Sequence, residues 1–191
     1  MKTTQASLLL RVRDHADSGA WEEFVALYRP LLMRYARARG LAVEDAEDVT
    51  QHCLTAVTRK ISDFEYDPVR GRFRGWLKKM VNNRVATLLS RRRERNAGSA
   101  ELRRPQEREK EPEAVWEQVW LEEHLRYCCE HVSGEVRPHT YEAFRRVAVE
   151  QQPVREVCEA LALTPNQVYV AKSRVSRRLQ DMMKTIYGED A

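Results

Sequence analysis

Three stretches of the 191-residue sequence carry side chains whose types and spacing could do chemistry. The segment HLRYCCEH holds His124, Cys128, Cys129 and His131, and thiolates and imidazoles at helical spacing can bind zinc. A single helix cannot aim all four at one point, however. Cys128 also continues an apolar stripe with Leu121 and Leu125, so core packing is the stronger reading, and neither a metal nor a cofactor is expected. The acids Glu44, Asp45, Glu47 and Asp48 raise metal-assisted hydrolysis, which needs carboxylates converging on one ion. They fall instead in the first turn of a helix and spread around it, where the positive end of the helix dipole favours them without any ligand. No nucleophile with a neighbouring base stands out, so an enzyme is not expected.

The third stretch is LALTPNQVYVAKSRVSRRL, Leu161 to Leu179, which closes on a row of cations. Thr164 can cap a helix, Pro165 suits its first position, and Gln167 stands where it can reach back to the cap. Val168, Ala171, Val175, Leu179, Met182 and Ile186 then recur at spacings of three or four as one apolar stripe. The opposite face collects Asn166, Tyr169, Val170, Ser173, Arg174 and Arg177. Just upstream, PVREVCEAL forms a short helix with Val154, Val157, Cys158 and Leu161 as its stripe. Two short helices on a tight turn, the second well capped and cationic outside, describe a helix-turn-helix. Taken alone, an ordinary helical hairpin with a solvated face would read the same way.

The elements that must position these residues are helices. Trp21, Phe24, Tyr28, Leu31 and Tyr35, joined by Val25 and Leu32, make a stripe that stops near Gly40. A second helix runs from about Glu44 through Val49, Cys53, Leu54 and Val57 to Ile61, followed by the loop SDFEYDPVRGR with its Pro68 and Gly71. A third, from Phe73 to Arg95, buries Trp76, Leu77, Met80, Val81, Val85 and Leu88. RNAGSAELRRPQEREKEPE has no periodic apolar residues and reads as a tether. Val115, Trp116, Val119 and Trp120 open the next helix, and Tyr141, Phe144, Val147 and Ala148 mark one more before the hairpin. The expectation is an all-α protein of two small helical domains, residues 1–95 and 113–191, joined by a flexible charged linker over 96–112.

Charge sharpens this division. The net charge is only +4, yet Arg70 to Arg95 holds ten Lys or Arg against one acid, Glu94. Glu101 to Glu123 holds eight Glu against four basic residues, so distinct surfaces of opposite sign are implied. The N-terminal MKTTQASLLLRVRD has too short an apolar run for a signal peptide or a membrane span, so a cytoplasmic protein with reduced thiols is expected.

In this setting the residues resemble a known family. AWEEFVALYRPLLMRYARARGL followed by DAEDVTQHCLTAV resembles the opening of sigma region 2 of bacterial RNA polymerase sigma factors, and FEYDPVRGRFRGWLKKMVNNRV its promoter-melting part. TPNQVYVAKSRVSRRL is similar to the recognition helix of sigma region 4, and the two regions stand in the order found in sigma factors of the extracytoplasmic-function type, group IV of the sigma-70 family.

The resemblance implies a protein that binds core RNA polymerase and promoter DNA without catalysing anything itself. Asp48, Gln51 and His52 fall where the family docks on the clamp helices of the largest polymerase subunit, although Glu is common at the place of His52. The second domain would meet the polymerase flap. Phe64 to Phe73 falls where such factors capture a base flipped from the minus 10 element. There Tyr66 and Phe73 can stack on an unpaired base while Arg70, Arg72 and Arg74 track phosphates; Phe73 fits the core equally well by its spacing from Leu77. Lys78, Lys79 and Asn83 match positions that face DNA. In the hairpin, Tyr169, Val170, Ser173 and Arg174 would meet base edges of the minus 35 element, with Asn166, Gln167, Lys172, Arg177 and Arg178 also on the DNA side. The acid-rich linker resembles a connector whose carboxylates mimic nucleic acid, and an anti-sigma factor is the implied regulator. The alternative is a stand-alone helix-turn-helix regulator. It would require a dimer surface and would have no use for a basic helix beside an aromatic loop.

Overall fold

The computed structural model describes residues 5–62, 73–97 and 111–187, and every regular element among them is helical. Eight α-helices follow in order: α1 (Gln5–Val12), α2 (Ser18–Ala38), α3 (Val43–Lys60), α4 (Phe73–Ala97), α5 (Pro112–Glu135), α6 (Pro138–Phe144), α7 (Val154–Leu161) and α8 (Pro165–Tyr187). No helix among the described residues is long and apolar enough to cross a membrane.

The chain divides into two compact units, the first reaching Glu123 and the second beginning at His124. In the first, α2 is the central element. Its N-cap Asp17 accepts a hydrogen bond from the Ala20 amide at 2.8 Å, and Arg11 holds the same carboxylate through two nitrogens. These contacts, the Arg11 bonds foremost, keep the Asp17 carboxyl below the ordinary carboxylate range. The stripe Phe24, Leu27, Tyr28, Leu31, Leu32 and Tyr35 is fully buried. At the other end, Gly40 adopts φ +89, its amide donates to Arg37 O, and the Leu41 amide reaches back to Ala36 O. This is a Schellman stop, in which a residue free of Cβ crowding takes the left-handed turn and Leu41 packs inward. Against α2 lie α3, through Ala46, Val49, Cys53 and Val57, and α4, through Phe73, Leu77, Val81 and Val85. The short α1 adds Leu8, Leu9 and Val12 to this core.

Two features of this unit differ from the sequence reading. The helix α1 is absent from it. The first half of α5 also belongs with α2 and α4: Trp116 lies edge-on to Tyr35 at 5.2 Å, Trp120 lies 6.0 Å from Tyr28, and both indoles are fully buried. The division therefore falls within α5 rather than in the segment 96–112 expected to separate the domains, most of which lies outside the described residues.

The second unit is built from the remainder of α5 and from α6 to α8. Its core holds Ala143, Val157, Val168 and Ala171, with Val147, Val154, Cys158, Leu161 and Leu163 packed around them. α6 runs on into one π-helical turn, Arg145–Val149, before the chain turns into α7. On α5, Tyr127, Cys128 and Val132 are buried while Leu121 and Leu125 stay exposed, so the stripe expected to join Cys128 to those leucines is corrected to one that passes through His124 and Cys128.

Candidate nucleic-acid interface

The hairpin places its cap as expected. The Gln167 carboxamide oxygen accepts from the Thr164 amide at 2.8 Å and from its hydroxyl at 3.1 Å, while the Gln167 amide donates to Thr164 Oγ1 at 3.3 Å. This reciprocal box fixes where α8 begins and hence which residues of its first turns face outward. Val168, Ala171, Val175 and Leu179 are buried, and Asn166, Tyr169, Val170, Lys172, Ser173, Arg174 and Arg177 are exposed. Tyr169 and Val170 are 57% and 46% exposed, large apolar groups left at the surface between cations. Arg174, Arg177 and Lys172 make no ion pair among the described residues. Arg178 is drawn to Glu135 at 2.6 Å. Between the starts of α6 and α8 an open hollow of about 320 Å³ is lined by His139, Thr140, Leu163, Asn166, Gln167, Val170 and Arg174. His139 and Thr140 were not anticipated from the sequence, because their place on this face depends on how α6 packs against α8.

On the first unit the expected minus 10 residues separate. Tyr66, Arg70 and Arg72 lie outside the described residues. Phe73 is 1% exposed and its ring lies 5.8 Å from Phe24, 5.2 Å from Tyr28 and 5.7 Å from Trp76, which corrects its assignment from base platform to core. Arg74 and Lys78, one helical turn apart, point toward the first half of α5, where they pair with Glu117 and Glu113 respectively. The Arg74 guanidinium also lies over the Trp120 ring, 5.0 Å from its centroid. Lys79 and Asn83 sit about 140° further round α4 and are exposed to solvent. Tyr35 donates to Asn82 and accepts from Arg39 at 2.8 Å, tying α2 to α4 beneath this surface.

On α3, Asp48, Gln51 and His52 follow at i, i+3 and i+4 and are all exposed. Asp48 takes a hydrogen bond from Arg84 at 2.6 Å, a contact between α3 and α4 that sequence reasoning did not foresee. Arg84 stands in the interior of the basic helix, and only the packing of the two helices reveals its partner.

The cysteine and histidine cluster separates too. The Cys128 thiol donates to Met183 Sδ at 3.6 Å, and His131 Nδ1 lies 3.0 Å from the Tyr127 carbonyl. Burial pushes the Cys128 thiol up to about 12, and no group of three or more metal-ligating side chains converges among the described residues. Cys53, on the buried face of α3, is likewise pushed up to about 12 by burial, so neither thiol is primed for thiolate chemistry.

Comparison with known proteins gives one domain match. Residues 24–95 match the family model of sigma-70 region 2, a stretch that takes in most of α2, all of α3 and most of α4. No curated protein matches the chain. Among solved structures, CnrH in complex with the cytosolic domain of CnrY covers 93% of this chain and 95% of its own, at 18% identity and a TM-score of 0.38. The sigma factor RpoE in complex with the anti-sigma factor NepR from Bartonella quintana covers 86% and 96%, at 15% identity and a TM-score of 0.35.

Proposed function

We propose, from the premise that residues 24–95 form a sigma-70 region 2 domain, that this protein is a transcription-initiation sigma factor of the extracytoplasmic-function type. It acts by binding rather than by catalysis. The exposed Asp48, Gln51 and His52 on α3 are the contacts to the clamp helices of core polymerase, with Arg84 holding Asp48 in place. The second unit meets the polymerase flap and reads the minus 35 element through the outer face of α8. There Arg174 grips a guanine at two acceptors, while Tyr169, Val170 and Ser173 complete the contact with base edges. Asn166, Gln167, Lys172 and Arg177 hold the phosphates that set register. Arg74, Lys78, Lys79 and Asn83, with Tyr66, Arg70 and Arg72 upstream, serve the minus 10 strand. The working place is the cytoplasm, and the family resemblance implies an anti-sigma protein as regulator.

The observation that carries this reading is the region 2 match followed, further along the chain, by a capped helix whose outer face is cationic and apolar at once. A repressor would need its own dimer surface instead. The test is in vitro transcription with purified core polymerase and a library of promoter fragments. Start sites that appear only on adding this protein, sharing two spaced sequence elements, support the proposal. Retention of DNA binding without any association with core polymerase would leave the stand-alone regulator.

A further inference from the structure

Two cations of α4 already have anionic partners inside their own unit. Arg74 and Lys78 are one turn apart, and so are Glu117 and Glu113 on α5, so the two helices pair rung against rung. The carboxylates occupy the hydrogen-bonding positions that strand phosphates would need. Trp116 and Trp120, interleaved with these acids on α5, are fully buried, which pins this part of the helix in place. The acids themselves remain about half exposed, with relative side-chain exposures of 61% for Glu113 and 51% for Glu117, so they can swing away without the helix leaving.

We infer that the first half of α5 is a built-in competitor for single-stranded DNA, its Glu113 and Glu117 standing in for phosphates on Lys78 and Arg74. This rests on the proposed role of α4 in holding the minus 10 strand. A strand that binds there must exchange carboxylate for phosphate at two positions, so the free protein holds stray single strands weakly. A strand fixed by additional contacts makes the exchange.

The test uses the full chain and a fluorescent single-stranded oligonucleotide of random sequence, read by anisotropy at low salt. Glu113→Gln with Glu117→Gln should tighten binding about threefold to tenfold, ~0.7 to 1.4 kcal/mol, the range open to two surface ion pairs. The gain should vanish in a chain that also carries Arg74→Ala and Lys78→Ala. A charge-matched control, Glu22→Gln with Glu44→Gln at two exposed sites, should gain less than about twofold. An equal gain in that control overturns the inference. So does unchanged affinity in the Glu113 and Glu117 variant while the alanine pair weakens binding, and that result leaves the DNA role of α4 standing. If the alanine pair changes nothing in either background, the DNA role of this face fails together with the competitor.

Discussion

On α8, Arg174 stands exposed between Val170 and Arg177, and its N–H donors are committed to no carboxylate among the described residues. A planar guanidinium in that state can meet two acceptors on one guanine, and such a pair discriminates against other bases by ~1 to 3 kcal/mol. Arg174→Ala should therefore flatten preference at one upstream base pair by about that amount, measured across a promoter set, while leaving association with core polymerase unchanged. A uniform loss on every sequence would make it a phosphate contact instead. The cap that orients this face was legible beforehand, since Thr164 and Gln167 are close in sequence and their box is local physics. Phe73 was not, because an aromatic at the start of a helix fits a base platform or a core until its neighbours are known. The rings of Phe24 and Tyr28, from a distant part of the chain, decide for the core.

Elements fold by local signals where those signals exist. α2 ends at a glycine suited to φ +89, as its sequence announced, whereas α7 ends on Ala162 at φ +51, a left-handed position that a Cβ makes costly. Ala162→Gly should stabilise the second unit by roughly 0.5 to 1 kcal/mol, the relief of strain exceeding the entropy glycine adds to the unfolded chain. A thermal melt of the full chain with a midpoint unchanged or lowered would show the turn to be unstrained. A second local device holds the π-helical end of α6. Glu142 accepts from Arg145 at 2.7 Å and 2.8 Å and from Arg146 at 2.7 Å, and these bonds, Arg145 first, lower its carboxyl from 4.5 to about 2. A carboxyl with a depressed folded value contributes stability above its ordinary range and loses it as the pH falls toward the folded value. Urea midpoints should therefore decline between about pH 4.5 and 2, and Glu142→Gln should make the decline shallower in that window. An identical pH profile in the variant would mean the cluster adds nothing to stability. α1 escaped the sequence reading for the opposite reason. Its eight residues are too few to repeat a stripe, and it becomes legible only through the core that receives Leu8, Leu9 and Val12.

At the scale of the whole chain, the poles of charge visible in the sequence have a physical counterpart inside the first unit, where acids of α5 meet cations of α4 and α2. Arg34 of α2 reaches Glu122 at 2.6 Å and the buried Glu123 at 2.5 Å, adding to the pairs at Arg74 and Lys78. What the sequence could not show is that Trp116 and Trp120 complete this unit rather than open the next, because their stripe is equally good against any apolar surface. The two compact units accordingly divide after residue 123 rather than within residues 96–112. Removing one buried Trp side chain costs about 3 to 5 kcal/mol, against a total of ~5 to 15 kcal/mol for a domain. A fragment of residues 1–97 lacks both indoles and leaves Tyr28 and Tyr35 uncovered, whereas one of residues 1–123 retains them. The longer fragment should melt cooperatively by far-ultraviolet circular dichroism, and the shorter should melt many degrees lower or show no transition. Equal midpoints for the two would mean that the tryptophans decorate the first unit without stabilising it, and that its folding is complete at the end of α4.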